Sequence, residues 1–426
     1  MNEQSAAPAA GGAENLLMER PLAPHEAAIA AAGVQLVLHC DVEGEADEDL
    51  LARALYRLRE CYPLLDGRIL SQDGSGPFVR IDTTSSGAGL GRGSDFGEEV
   101  STPPAWDREP LLRLTVLPRR GGHRLVMTLP RAFADAMSYL AVHRSFWAAY
   151  TGLSSTGRPL AAERVEPVLP PALDEVLGAL FTPGQLHEFV AERARMDAEA
   201  APALLPALAS VDGGPGPDLS FGIVPVEAAP EHCERLVRRA RDASLTLNSL
   251  VSGVLLTSLR SVLPVPDGPA RLLCTTAVDM RRRLSPPLPP EVLQSAATTT
   301  SIRLDVDERA DPVGVGHDLA ARLQADLDSG AAAMELAAFP YMLDQHPPSL
   351  VITNVGIITE PELPDGLSVT DVRLAPLGHV PMLFAVVGRY QGRLAVDLTY
   401  SRAWYTDAQI HALADRVSAA LEDVAR

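Results

Sequence analysis

The apolar positions change period several times along the first third of the chain. VQLVLHCDVEG (34–44) is a compact apolar run that predicts a strand. In the following ADEDLLARALYRLRECYPLL (46–65), Leu50, Leu51, Ala54, Leu55 and Leu58 recur at the helical period and predict an amphipathic helix. GRIL and PFVRID then read as short strands around the turn signal SQDGSG. Residues 83–107, rich in Ser, Gly, Pro and acid, read as a surface loop. LLRLTVLP and HRLVMTLP flank RRGG and predict a hairpin, and a helix over about 135–150 closes the unit.

A Pro/Ala/Gly-rich crossing follows over 153–218, with one helix near 183–198. Order then resumes with the strand LSFGIVPV and helices over 230–243 and 246–263. Thr246 is placed to accept a first-turn N–H at the start of the second of these. RLLCTTAVDM and TTTSIRLDV predict strands, and 312–329 predicts a helix. Four more strands follow in SLVITNVG, LSVTDVRLA, MLFAVVGRY and RLAVDLTY. The last helix, 406–425, sets Leu413, Val417 and Leu421 on one face. No sequence repeat links the halves, yet both mix strands with covering helices. The pattern predicts an α+β protein of two mixed-sheet subdomains with a cleft between them. The expected divisions are a disordered tail over 1–17, subdomains over 18–152 and 219–426, and the crossover between.

Charge narrows the partners. Lys and Arg total 36 against 55 Asp and Glu, a formal net charge of −19, which opposes binding to phosphate backbones and anionic membranes. Cys40, Cys61, Cys233 and Cys274 form no CxxC pair and no His/Cys cluster, so neither a metal nor a disulfide is expected. Scattered thiols fit a reducing cytoplasm. The N-terminus lacks the basic and apolar regions of a signal peptide, and no window approaches the ~18 apolar residues of a membrane span. GAGLGRG (87–93) lacks the strand, helix and lysine of a phosphate loop, and no GxSxG elbow is present.

The segment LVMTLPRAFADAMSYLAVHRSFW (125–147) reads as a strand ending at Pro130, a short loop, and a helix opening near Asp135. Together with ERPLAPHEAAI (19–29), ALYRLRECYPLLDGRI (54–69), TTAVDMRRRLSPPLPP (275–290) and VITNVGIITE (351–360), it resembles the polyketide-associated acyltransferases. These sit in the superfamily of chloramphenicol acetyltransferase, plant acyl-CoA-dependent acyltransferases and nonribosomal condensation domains. The third segment resembles the family's V-D-x-R-x-R-L, with Asp279, Arg281 and Arg283; the fourth resembles its S-N-x-G, with Thr353, Asn354 and Gly356.

The resemblance implies a chloramphenicol-acetyltransferase-like fold with an active-site channel between subdomains. It also implies acyl transfer from an acyl-CoA or a phosphopantetheinyl carrier, with an acyl carrier protein as a partner and no bound cofactor. The family signature HHxxxDG falls on Pro130–Ala136, where Pro130 and Arg131 stand for the two histidines, Asp135 is kept and Ala136 replaces the glycine. The second histidine is the family's general base. Arginine holds its proton above a pKa of ~12 and cannot take that role, though it can stabilise an oxyanion or polarise a carbonyl. Asp135 with Arg281 is the expected structural pair. Arg131 and Asn354 are the catalytic candidates, with Tyr139, Ser138, Thr353 and His379 as channel or substrate-binding candidates. His143, eight residues past Asp135, stands ~12 Å along the helix, too far for a substitute base.

Three functions follow from this pattern. One is acyl transfer in natural-product biosynthesis without the usual base. Another is cyclisation or rearrangement of a biosynthetic intermediate held in the channel, which needs no base. The third is non-catalytic binding of a substrate or carrier protein. The Ala, Pro and Arg usage suggests a GC-rich bacterial source.

Overall fold

The structure, a computed structural model, describes residues 16–72, 75–82, 89–157, 169–199, 201–208, 216–342 and 345–426. The first half runs β1 (Leu16–Pro21), α1 (Pro24–Ala31), β2 (Gln35–Glu43), α2 (Glu48–Cys61), β3 (Arg68–Gln72) and β4 (Ser75–Asp82). It continues with β5 (Gly91–Arg92), α3 (Phe96–Ser101), β6 (Arg113–Arg119), β7 (Gly122–Pro130) and α4 (Ala136–Thr156). Helices α5 (Leu173–Gly178) and α6 (Pro183–Glu199) cross to the second half. There β8 (Phe221–Ala228), α7 (Pro230–Asp242), α8 (Leu247–Val262), β9 (Ala270–Asp279) and β10 (Ala297–Val306) lead to α9 (Pro312–Ser329) and α10 (Ala331–Ala337). The chain ends with β11 (Leu350–Ile357), β12 (Ser368–Leu377), β13 (Phe384–Tyr390), β14 (Arg393–Ser401) and α11 (Asp407–Val424).

Several of these elements correct the sequence reading, and the crossing holds a second helix, α5, beside the one expected near 183–198. The stretch read as a surface loop contains β5 and α3, and α3 is capped by Asp95, whose carboxylate accepts from Glu98 N. Leu16 and Leu17, read as tail, are in β1, which pairs with β4; residues 1–15 of that tail lie outside the described residues.

The strands form three sheets, in the orders β1-β4-β3, β12-β2-β7-β6-β5 and β10-β9-β11-β13-β14-β8. Eight of the nine residues of β2 are buried, because both of its faces are covered. Leu36, Leu38, Cys40 and Val42 pack toward α2 and α4 with Leu55, Leu58, Phe146 and Trp147. Val37 on the opposite face joins Val126, Ala375 and Leu377 against Phe221 of the second half. The six-stranded sheet is backed by α8 and α11 through Leu250, Val254, Ile410, Leu413 and Val417.

The sequence pattern did not show that β12, deep in the second half, pairs antiparallel with β2 in the first-half sheet. From β12, Arg373 bonds Asp371 (2.7 Å), Asp397 (2.8 Å) and Glu227, so one guanidinium ties the two sheets together.

Helices α8 and α9 meet where Gly253 has no side chain. A Cβ there would collide with the Pro312 carbonyl and lie 2.9 Å from the Gly316 backbone nitrogen. Both obstacles are backbone, so neither can swing away. Although alanine is the better helix former by about 1 kcal/mol, the overpacking should dominate. Gly253→Ala is therefore expected to destabilise the protein by about 1–3 kcal/mol. A urea midpoint at or above wild type would show that the helix pair can separate.

Candidate active site

Strand β7 delivers its last residue, Pro130, opposite Gln35 of β2, and Arg131 N donates to the Val34 carbonyl (3.0 Å). The chain then turns, with Phe133 N bonded to Pro130 O (3.1 Å), and Asp135 caps α4. This strand–turn–helix unit holds the motif loop from both sides.

Asp135 is the loop's anchor. Its carboxylate accepts from Ser138 N (2.8 Å), from Ala296 N (2.8 Å) and from Arg281 Nε (3.1 Å). Arg281 donates in turn to the carbonyls of Pro289 (2.7 Å), Val292 (3.2 Å) and Gln294 (2.6 Å). One buried ion pair thus joins the start of α4 to the whole loop between β9 and β10. It crosses from one half of the chain to the other.

Arg131 points into the same junction. Its guanidinium donates to the Ala134 carbonyl (3.0 Å) and to Ser295 Oγ (2.5 Å). Burial lowers its pKa and the nearby Asp135 opposes that shift, and arginine remains protonated at any working pH. Arg131 is thus a fixed cation, braced by contacts from both halves.

Sequence reasoning missed His25. It stands in the first turn of α1, where its backbone N donates to Asp174 Oδ2 (3.2 Å) and its ring meets Phe339 edge-on at 5.0 Å. Burial, and after it the charge of Arg131, lower its pKa to about 3. A neutral imidazole therefore lies within the field of the guanidinium. Its segment, ERPLAPHEAAI, had been matched to the family as a whole, but no spacing tied residue 25 to residue 131.

The remaining candidates are dispersed. Asn354 Nδ2 donates to Asn248 Oδ1 (2.8 Å), and its own Oδ1 accepts from Gly356 N (2.7 Å) at an irregularity in β11. No hydrogen bond joins it to Arg131 among the described residues. Thr353 beside it is partly buried. His379 stacks on Phe221 (4.6 Å) and bonds Ser401 Oγ (3.1 Å), at the paired ends of β8 and β14.

Two channel expectations are corrected. Tyr139 has no exposed surface; it is part of the first-half core, and burial raises its pKa well above 10. Ser138, at 1% exposure, completes the cap of α4 and also bonds the Gln294 carbonyl (3.3 Å). Both face inward because α4 is wrapped on nearly all sides. His143 accepts from Trp147 Nε1 (3.0 Å) inside the same core.

A cavity of about 550 Å³ opens elsewhere, between β2, β12, β8 and β14, and none of the motif residues lines it. Its arginines and carboxylates largely answer each other: Arg124 and Arg119 both bond Asp41, and Arg373 bonds Asp371, Asp397 and Glu227. Among the described residues no group of three or more His, Cys, Asp or Glu is arranged to hold a metal ion, and no single helix is long and apolar enough to cross a membrane.

Comparison with known proteins gives the architecture its context. Residues 220–401 match the family described as phthiocerol/phthiodiolone dimycocerosyl transferase C-terminus. A phthiocerol/phthiodiolone dimycocerosyl transferase of Mycobacterium leprae is 23% identical over 400 residues, covering 89% of this chain and 91% of its own. Polyketide synthase associated protein 5 from Mycobacterium tuberculosis superposes with a TM-score of 0.74 at 20% identity, over 95% of this chain and 98% of its own. The trichothecene 15-O-acetyltransferase of Fusarium sporotrichioides reaches a TM-score of 0.75 at 12% identity, over 96% and 95%. The chain has the two-subdomain fold of the chloramphenicol-acetyltransferase-like and condensation-domain-like acyltransferase superfamily, and its second half matches the C-terminal part of the dimycocerosyl transferases.

Proposed function

We propose that this protein is an acyltransferase of natural-product biosynthesis. It moves an acyl group from a thioester, on CoA or a phosphopantetheinyl carrier, to an alcohol or amine acceptor at the junction of its two halves. The observation that carries the reading is the bracing of Arg131. Bonds to Ala134 O and Ser295 Oγ hold a guanidinium at the start of the motif loop, where the family's catalytic residue stands. A cation fixed in advance suits the negative charge that develops on the carbonyl oxygen as the nucleophile attacks, since it need not reorganise during the step. The names of the relatives support the same class of reaction, being transferases whose coverage extends over nearly the whole chain. Asn354 and Thr353, at the irregular end of β11, are assigned to the channel wall on the second-half side.

The test is thiol release from a panel of acyl-CoA and acyl-carrier thioesters with alcohol and amine acceptors. Acceptor-dependent release is expected from the wild type, with kcat/KM reduced about 10²–10³-fold in Arg131→Ala, the scale of losing one oxyanion donor. Equal activity in both proteins would remove Arg131 from the reaction. Turnover of a single substrate without any thioester would instead identify the fold as a cyclase or rearrangement catalyst.

A further inference from the structure

We propose that the cavity between β2, β12, β8 and β14 is a second binding site, and that it takes a zwitterionic small molecule. The ligand's anionic group faces the β6–β7 hairpin and its cationic group faces the second-half sheet. At about 550 Å³ the cavity is within the size range of small-molecule sites. It is separate from the motif loop. Arg124, which lines it, precedes Pro130 on β7 by six residues, about 20 Å of strand. On the same face of the sheet Val37, packed with Phe221, lies between the cavity residues of β2 and Gln35, the partner of Pro130.

The strand register sorts the charges. Asp371 of β12, Asp41 of β2 and Arg124 of β7 stand in one row across the first-half sheet. With neighbouring strands ~4.8 Å apart, the backbones of Asp371 and Arg124 are about 10 Å from each other. On the hairpin side, Arg119 and Arg124 share the carboxylate of Asp41, and Arg120 has no ion pair among the described residues. Glu43, opposite Gly122 at the exposed rim, leaves that side with one positive charge in excess: three arginines against two carboxylates. On the other side, Arg373 alone answers Asp371, Asp397 and Glu227. Arg393, bonded to the Thr370 carbonyl, leaves that side with one negative charge in excess: three carboxylates against two arginines.

The cavity is therefore neutral as a whole but polarised across its width. A ligand with one charge of each sign answers both excesses at once, whereas a simple anion or cation answers one and leaves the other unmet. His39 supplies a second observation. It lines the cavity from the middle strand, is 5% exposed, and its Nδ1 has no hydrogen-bond partner among the described residues. A buried polar atom without a partner calls for one, and a ligand between the charged sides lies against this ring. The walls come from both sheets, with β2, β12 and the hairpin on one side and β8 and β14 on the other. A bound zwitterion would accordingly add a bridge between the halves beside the one made by Arg373.

Titration calorimetry of the full chain tests the site, with glycine, 4-aminobutyrate and 6-aminohexanoate as probes of increasing charge separation. Saturable binding of at least one of them is expected. The carboxylic acid and the amine of the same chain length should each bind roughly tenfold to a hundredfold more weakly, the scale of losing one charged hydrogen bond. Arg120→Ala and Glu227→Gln, both at exposed positions, should each weaken the zwitterion by a similar factor. Their urea midpoints without ligand should stay near wild type, which separates loss of the site from loss of the fold. Absence of saturable binding by all three zwitterions overturns the proposal. So does a carboxylic acid that binds as tightly as its zwitterion and ignores Glu227→Gln, which would make the cavity an anion site. Binding that neither variant weakens lies elsewhere on the protein and overturns it equally.

Discussion

Asp135→Ala is expected to lower the unfolding free energy by about 3–5 kcal/mol, the range for removing one partner of a buried ion pair. The carboxylate and the Arg281 guanidinium are 3.0 Å apart with side chains only 4% and 3% exposed. Alanine would leave that guanidinium buried without its counter-charge and strip Ala296 N of its acceptor. It would also remove the cap of α4, whose first-turn N–H at Ser138 has no other carboxylate to reach. Asp135→Asn keeps a cap acceptor while deleting the charge, so it should fall between the two. Urea unfolding of the three proteins measures the series. A loss below about 1 kcal/mol for alanine would mean the pair is no more than a surface-like contact. Because the same contact positions Ser295 and hence Arg131, the alanine variant should lose activity even where it remains folded.

Acidification is the second large effect. His25 and His143 are each lowered to about 3, chiefly by burial, with Arg131 and Arg144 respectively as the charged neighbours. His39 is lowered well below 6.5, again by burial first and then by Arg124, Arg373 and Arg119. These imidazoles stay neutral in the folded chain at pH 5, while in the unfolded chain they take up protons as pH falls through ~6.5. The unfolded state then binds more protons, so stability falls with pH across the window from about 6.5 toward 3. Between pH 6.5 and 5, His25 and His143 each remove about 2 kcal/mol. Asp397 works in the opposite sense. Burial raises its carboxyl to about 6, so it takes up a proton in the folded state first and offsets part of the loss. Urea unfolding at pH 7 and pH 5 should show the net decrease, and His143→Gln should flatten it while keeping an acceptor for Trp147. Equal stability at both pH values would contradict the buried, neutral state of these rings.

Short-range order was legible from residue types alone. Thr246 caps α8 by accepting from Ser249 N, α9 spans the predicted 312–329, and the RRGG turn joins β6 to β7 with Arg119 opposite Gly122. Each is set by neighbours within a few positions, through capping groups, periodicity or turn chemistry. The motif comparison likewise named Asp135 and Arg281, residues 146 apart that the structure joins in one ion pair.

What only the tertiary structure decided depends on distant segments meeting. Strand β12 lies 325 or more positions from its partner β2, and nothing in its own pattern says which sheet it completes. Tyr139 follows the motif closely enough to have been placed in the channel, yet the wrapping of α4 turns it into the core. Helix α3 and strand β5 sit in a stretch too short and polar to signal order; they are held by packing against β6 and β8. His25 was an ordinary residue of a helix start until the fold set it against Asp174 and Phe339. Sequence by itself determined most of the longer helices and strands and the residue types at the motif positions, because those follow from local chemistry. The company that Arg131 keeps was decided by the docking of the two halves, where burial and charge act across more than a hundred residues of chain.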